Sequence, residues 1–497
     1  MTAVVVLPLL LPLLAAGVCM VVGRSRAAQR TVSLGALGIS AVAAVIALVA
    51  VDRDGTVVVD AGGWGAPIGI VLVADRLATI MLAIATITLL LVLVYAIGQP
   101  GAERHHVGFQ SAYMVLAAGV ALSFLTGDLF TMFVAFEMML TASYVLMTLG
   151  GTQDQVRSGM TYVVISLVAS TLFIAALALI YTATGTVNLA DLSERIPGLA
   201  PGLQSAFALL LLVVFGIKAA VFPLFFWLPD SYPTAPSPVT AIFAGLLTKV
   251  GVYALIRTQL LLFPESARPA TVMLWIAGLT MVVGVIGAVA QNDLKRILSF
   301  HIVSQIGYMV MGLALFTVAG VAAAVYFIVH QVVVKTALFL TGGLVEHVGG
   351  SSRLSRVGGL MGTAPVLAVL FLVPALSLAG FPPMSGFIGK FALFDAGVGS
   401  AEFWVVSAGV VAAFLTLFSM TKIWVGAFWN PKEREPQATP HAPGRWGGPL
   451  LMVVPTATLV VLTIAIGLWS GPIYDLMTRT AEGLVDPSVY RYEVLGR

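Results

Sequence analysis

The sequence predicts an all-α integral membrane protein of about fourteen transmembrane helices, arranged as two inverted five-helix repeats whose spans 7 and 12 are broken. Three observations carry this reading. Of 497 residues, 59% are hydrophobic and 9% charged, with a mean hydropathy of +1.03, whereas soluble domains carry about 25% charged residues. Fourteen apolar runs approach the ~20 residues that a helix needs to cross a bilayer. Two of these runs, five spans apart, each combine a lysine with prolines.

The spans run at about 3–23, 32–51, 77–98, 107–126, 129–149, 159–183, 205–228, 239–262, 271–290, 297–316, 318–345, 365–397, 403–428 and 449–470. The start, MTAVVVLPLLLPLL, lacks the positive n-region of a secretory signal and reads as the first true span. Residues 1–106 then hold helices 1–3, 107–262 the first repeat (helices 4–8) and 271–428 the second (helices 9–13). Residues 429–497 hold a polar, proline-rich loop, helix 14 and the C-terminal tail. Odd-to-even connections carry Arg24, Arg26, Arg30, Arg104, Arg157, Lys295, Arg296, Arg353, Arg356, Lys432, Arg434 and Arg445. The opposite loops and the tail carry Arg53, Arg195, Arg268, Arg479, Arg491 and Arg497. Twelve against six places both termini outside and the loop at 429–447 in the cytoplasm.

Span 7 opens the stretch FGIKAAVFPLFFWLPDSYPTAPSPVT, in which Lys218 precedes Pro223 by five residues. A cation in the bilayer interior costs roughly 2.5–3.5 kcal/mol on insertion scales and is kept for function by default. A proline at that depth frees a carbonyl, which only protein or a wet cavity can satisfy. Span 12, SLAGFPPMSGFIGKFALF, repeats the combination with Pro382, Pro383 and Lys390. An odd separation of five spans makes the two cross in opposite directions, the pointer to an inverted-repeat transporter.

Glu137 sits midway along span 5 with nothing polar beside it until Thr141, so it needs a partner on another helix. The candidates are Lys218, Lys249 on span 8, Lys335 on span 11 and Lys390. At an effective dielectric of about 20, unit charges ~8 Å apart interact by roughly 2 kcal/mol. A few ångströms of movement therefore loads or releases a proton, and His330 suits a relay because its ordinary pKa lies near neutrality. For His330 a hydrogen bond to a neighbouring helix is the competing structural reading. Asp128, Asp230 and Asp395 near span ends read as caps or interfacial residues, Arg76 as an anchor paired with Asp75, and FFW at 225–227 as packing.

Several function classes fall away. A net charge of +3 spread over short loops gives no nucleic-acid surface. The single cysteine, Cys19, permits no disulfide framework. There is no GxxxxGK[ST] loop for ATP and no CxxC or His/Cys cluster for metal, so no metal site and no cofactor is expected.

GDLFTMFVAFEMMLTASYVLM, WLPDSYPTAPSPVTAIFAGLLTKVGVYALIR, NDLKRILSFHIVSQIGYMVMGLAL, HQVVVKTALFLTGG and SLAGFPPMSGFIGKF resemble the antiporter-like subunits shared by respiratory complex I and Mrp-type multisubunit Na+/H+ antiporters. The resemblance covers residues from about 70 to 430 and is strongest to the D-type subunits of Mrp complexes. It implies fourteen helices with two inverted five-helix repeats, a broken span 11, and a proton path across the membrane middle. Glu137, Lys218, Lys249, His330, Lys335 and Lys390 match the family's path residues. It further implies a prokaryotic plasma membrane, the Mrp subunits A, B, C, E, F and G as partners, and exchange of cytoplasmic Na+ for external H+. The alternative is a proton-pumping membrane subunit of complex I or of a membrane-bound hydrogenase. Lys390 disfavours one complex I paralogue, which carries glutamate at that position.

Overall fold

A backbone without access to water must satisfy its N–H and C=O groups within one segment, so the apolar runs become helices. The computed structural model describes residues 1–103, 108–430 and 448–496. The chain begins with α1 (Thr2–Val21) and α2 (Arg26–Asp54). A short antiparallel hairpin follows, β1 (Val57–Asp60) paired with β2 (Val71–Ala74). Next come α3 (Arg76–Gly98), α4 (Phe109–Leu125), α5 (Leu129–Met147), α6 (Gln153–Thr184), α7 (Pro201–Ala219) and α8 (Ser237–Leu261). The second part holds α9 (Ala270–Ala290), α10 (Leu294–Ala314), α11 (Val318–Gly349), α12 (Pro365–Ala379), α13 (Ser385–Gly399) and α14 (Phe403–Trp429). The chain closes with α15 (Leu450–Leu468), α16 (Ser470–Val485) and α17 (Pro487–Leu495). Among the described residues, 12 helices are long and apolar enough to cross a membrane, and α4 and α12 are shorter apolar helices.

Burial sorts these helices. The apolar stretches of α8, α10 and α11 are almost wholly enclosed, whereas α1, α6 and α14 turn most of theirs outward. A helix that is apolar all round but enclosed by protein is where a lysine can be held by neighbours instead of lipid, and α8 and α11 carry Lys249 and Lys335.

The structure departs from the sequence reading in several places. The apolar run at 205–228 stops being helix at Ala219, so Lys218 stands in the last turn of α7 rather than midway along a span. The run at 365–397 is two helices, α12 and α13, separated by residues 380–384. The broken span 11 implied by the resemblance is instead one unbroken helix of 32 residues. Its sequence from Val318 to Gly349 contains no proline, and every carbonyl before the last turn can therefore keep its helical partner. Arg76 pairs with Asp52 at 3.0 Å and not with Asp75, whose carboxylate caps α3 and binds Arg257. The hairpin and the terminal helices α16 and α17 lie outside the apolar runs and were not expected. From residue 431 the polar stretch at 429–447 lies outside the described residues, as do Arg104, Lys432, Arg434, Arg445 and Arg497.

Matching features recur at one constant interval. Asp128 caps α5 by accepting from the N–H of Thr131, and Asp293 caps α10 by accepting from that of Arg296. Isolated β-bridges pair Asp128 with Asn188 and Asp293 with Arg353. Helices α6 and α11 are both 32 residues long, start after threonine caps at Thr152 and Thr317, and end at left-handed glycines, Gly185 and Gly350. The interval that relates these pairs also sets Ser170 of α6 in the place of Lys335 of α11, and Phe136 of α5 in the place of His301 of α10.

Candidate functional site

The site begins on α5. Glu137 is half-buried and accepts a short hydrogen bond from the Ser170 hydroxyl of α6. Lys218, at the end of α7, donates to the same Ser170 oxygen at 3.2 Å and to the Ser166 carbonyl at 3.4 Å. The acid and the cation are therefore joined through one serine and not by a direct ion pair. The Phe136 ring lies 5.6 Å from the Lys218 ammonium and packs against Phe173 and Phe215, a wall of aromatic faces that favours the cation while excluding lipid.

Lys218 can face Glu137 because the end of α7 is capped by another residue. The Ile217 carbonyl, where the helix stops, accepts from the Ala220 N–H at 3.1 Å and also from the indole N–H of Trp227 at 3.2 Å. Beside Lys218 lies a cavity of about 30 Å3 lined by Ser166, Tyr162, Trp227, Tyr232 and Leu247. It is large enough for a water molecule, and the buried Tyr232 hydroxyl has no partner in the protein.

No hydrogen bond or ion pair joins Lys218 to Lys249; backbone contact does. A Cβ on Gly251 of α8 would lie 2.7 Å from the Ala219 nitrogen, so only glycine lets α8 pass this close to the end of α7. Within α8, residues Phe243–Leu247 form a π turn, and the fully buried Lys249 donates to the Ala244 carbonyl of that turn. Such wide turns leave a carbonyl open to a side chain and recur at functional sites. The π turn abuts α11 beside Lys335, where a Cβ on Gly245 would overlap the Thr336 hydroxyl.

Lys335 is completely buried and its ammonium finds no partner among the described residues. His330, one helical turn and a half earlier on α11, uses Nδ1 to meet the Ser385 hydroxyl at 2.8 Å, at the first residue of α13. Its Nε2 has no protein partner. Ser385 continues to Ser377 at 3.1 Å. Lys390 folds back from α13 and donates to the Leu378 and Ala379 carbonyls, at 2.9 and 3.0 Å, capping the end of α12. Its ammonium lies 5.3 Å from the Tyr308 ring.

The structure thus brings Glu137 to Lys218 through Ser170, whereas Lys249, His330 and Lys390 each bond to separate groups and Lys335 to none among the described residues. Sequence reasoning missed Ser170, Trp227 and Ser385. Serine in an apolar helix carries a weak signal because its hydroxyl is commonly satisfied by its own backbone. Among the described residues no group of three or more His, Cys, Asp or Glu side chains is placed to hold a metal ion.

Comparison with known proteins is consistent with this architecture. Residues 126–416 match the family described as NADH:quinone oxidoreductase/Mrp antiporter, TM. The chain is 42% identical to the D subunit of the Na+/H+ antiporter of Alkalihalophilus pseudofirmus over 497 residues, covering 100% of each chain. It is 38% identical to the D subunit of the Na+/H+ antiporter of Bacillus subtilis, covering 99% of each. Among solved structures it superposes on a chain of the Mrp complex from Dietzia sp. DQ12-45-1b with a TM-score of 0.91 at 33% identity, covering 100% of both. A chain of respiratory complex I from Thermus thermophilus shares the fold at a TM-score of 0.79 and 24% identity, over 97% of this chain and 100% of that one. The chain belongs to the family of membrane subunits common to Mrp antiporters and NADH:quinone oxidoreductases.

Proposed function

We propose that this chain is the proton-translocating subunit of a multisubunit Na+/H+ antiporter, the counterpart of the D subunits it resembles over its full length. The observation that carries the reading is the Glu137–Ser170–Lys218 bridge, an acid and a base sharing one hydroxyl within an apolar bundle. A proton taken by Glu137 weakens its hold on the bridge and frees Lys218 to release its own toward Lys249. From there the path runs through Lys335 and His330 to Lys390. The partnerless Lys335 ammonium between the partnered Lys249 and Lys390 supports this order, since a carrier must be able to give up its proton and accept another.

The chain crosses the membrane fourteen times with both termini outside, and residues 107–262 and 271–428 are inverted repeats flanked by 1–106 and 429–497. The matched caps, bridges and 32-residue helices support this division. The partners are the A, B, C, E, F and G subunits of an Mrp assembly in a prokaryotic plasma membrane, and the transported ions are H+ and Na+. The greater identity to antiporter subunits than to the complex I chain favours this over the redox-pump reading.

The test is a dye measurement of a preformed pH gradient in everted vesicles holding the chain with its partner subunits. Added Na+ collapses the gradient without an electron donor, and Lys218→Ala removes the collapse. A gradient that resists every cation but is built by an electron donor through this complex would establish the redox-pump reading instead.

A further inference from the structure

The path above leaves unused a set of polar side chains between α10 and α11. His301 and Gln305 on α10 and Gln331 on α11 are as deeply buried as Lys335. The Ser419 hydroxyl of α14 donates to the Thr416 carbonyl at 3.0 Å, so its one proton is committed. With the Ser419 proton on that carbonyl, the His301 Nε2 that meets the same oxygen is assigned as the donor. This leaves His301 Nδ1 as a bare acceptor, and it has no partner among the described residues. Gln331 donates to the Gln305 side-chain carbonyl at 3.2 Å, which leaves Gln305 Nε2 and Gln331 Oε1 likewise without protein partners. Spacings of four residues stack His301 with Gln305 and Gln331 with Lys335 along their helices.

Four such atoms in one interface, with Lys335 Nζ as the fourth, exceed what a native interior leaves unsatisfied. Internal water, making about three hydrogen bonds per molecule, is the ordinary remedy in a polar site. We propose that a short file of water molecules lies between α10 and α11 and that His301 carries protons along it, between Lys335 and the Ser419 side of α14. A proton arriving at Nδ1 gives an imidazolium. The Nε2 proton then passes to the Ser419 oxygen as the Ser419 hydroxyl turns from the Thr416 carbonyl and gives its own proton to a water beyond it. A flip of the ring left protonated at Nδ1 restores the starting state, one proton entering and one leaving.

Two further observations point the same way. His301 occupies in the second half the place of Phe136, the neighbour of Glu137, just as Lys335 occupies that of Ser170. Ser419 stands one turn before Lys422, whose ammonium donates to the Val289 and Gln291 carbonyls at 3.0 and 2.6 Å, where α9 ends. The file thus leads from the lysine row to the end of the bundle where Lys295 pairs with Glu346. The charged groups near His301 are Lys335 from α11 and Lys390 from α13, with Lys249 near Lys335 in turn.

The role of His301 rests on the proton-translocating reading, whereas the water file is a separate structural claim. The experiment uses the whole complex. His301→Gln keeps a donor for Ser419 but cannot be protonated. The expected result is a normal membrane level of complex, Na+-driven proton movement slowed about tenfold or more, and loss of one titration step from its pH–rate profile. A wild-type rate with an unchanged profile overturns the proposal, as does a uniform slowing at every pH. Should His301→Gln and His301→Asn both fail to assemble, a high-resolution map of the wild-type complex decides. Ordered water within hydrogen-bond reach of His301 Nδ1 and Lys335 Nζ upholds the file, and a dry contact there refutes it. A wild-type complex with no antiport would sink the functional reading while leaving the map as an independent test of the water.

Discussion

After Ala219 and after Ala379 the backbone behaves alike, yet the lysine beside each break does a different task. In both places the helix ends on a left-handed residue, Ala220 at φ 60° and Gly380 at φ 90°. The next N–H turns back to a carbonyl five residues earlier, Val221 to Gly216 at 3.1 Å and Phe381 to Leu376 at 3.0 Å, and a proline follows two residues later. Each break exposes carbonyls at the negative end of a helix, which a donor must satisfy. In the second half Lys390 is that donor. In the first half the Trp227 indole takes part of the task, and Lys218 is left to meet Ser170 and, through it, Glu137. The same backbone device therefore yields a charge held at a helix end in one half and a charge coupled to an acid in the other.

The comparison breaks most visibly at the coupled lysine. Lys218→Ala and Glu137→Ala should each abolish antiport in vesicles while leaving the chain inserted at normal level; full activity in both would remove the gate. Next in size is the hydroxyl between them. Ser170→Ala should slow antiport by about ten- to a hundredfold, and Ser170→Thr should recover most of it, since only the hydroxyl is needed. Equal rates for the alanine and threonine variants would mean that Glu137 and Lys218 communicate by another route.

On the capping side, Lys390→Met should strand the Leu378 and Ala379 carbonyls and cost about 1–3 kcal/mol, read as a lower Tm of the purified complex. An unshifted Tm would show that these carbonyls find other donors. The smallest effect is expected at Trp227→Phe, which gives the first break an aromatic residue without the N–H. Loss of one hydrogen bond should cost about 1 kcal/mol with partial retention of antiport. A Tm loss as large as that of Lys390→Met would contradict the division of tasks between the two breaks.

Much of this was legible in the chain. Apolar runs of about twenty residues report helices because the bilayer offers the backbone no other partner, and most of the run limits fall within a few residues of helix ends once the break in the run at 365–397 is allowed for. The clearest exception is the run at 205–228, where the helix stops at Ala219, four residues before Pro223. Its sequence shows the proline but not the back-bonded turn that precedes it. The hairpin at Val57–Ala74 escaped because its two strands are four residues each, too short for an alternation to register. The unbroken α11 shows the reverse error, a break carried over from resemblance where no proline demands one.

What the sequence determined by itself is which residues are expensive to place in a membrane: Glu137, Lys218, Lys249, His330, Lys335 and Lys390 stand out against an apolar background whatever the packing. What only the tertiary structure decided is whom each one meets. Ser170 bridges, Trp227 caps, Ser385 holds His330, and Lys335 is left without a partner among the described residues. The physical reason is one of range. The cost of burying a charge is a property of one residue and its span, whereas a hydrogen bond is made across helices that are brought within about 3 Å only by glycine contacts and helix ends distant in sequence.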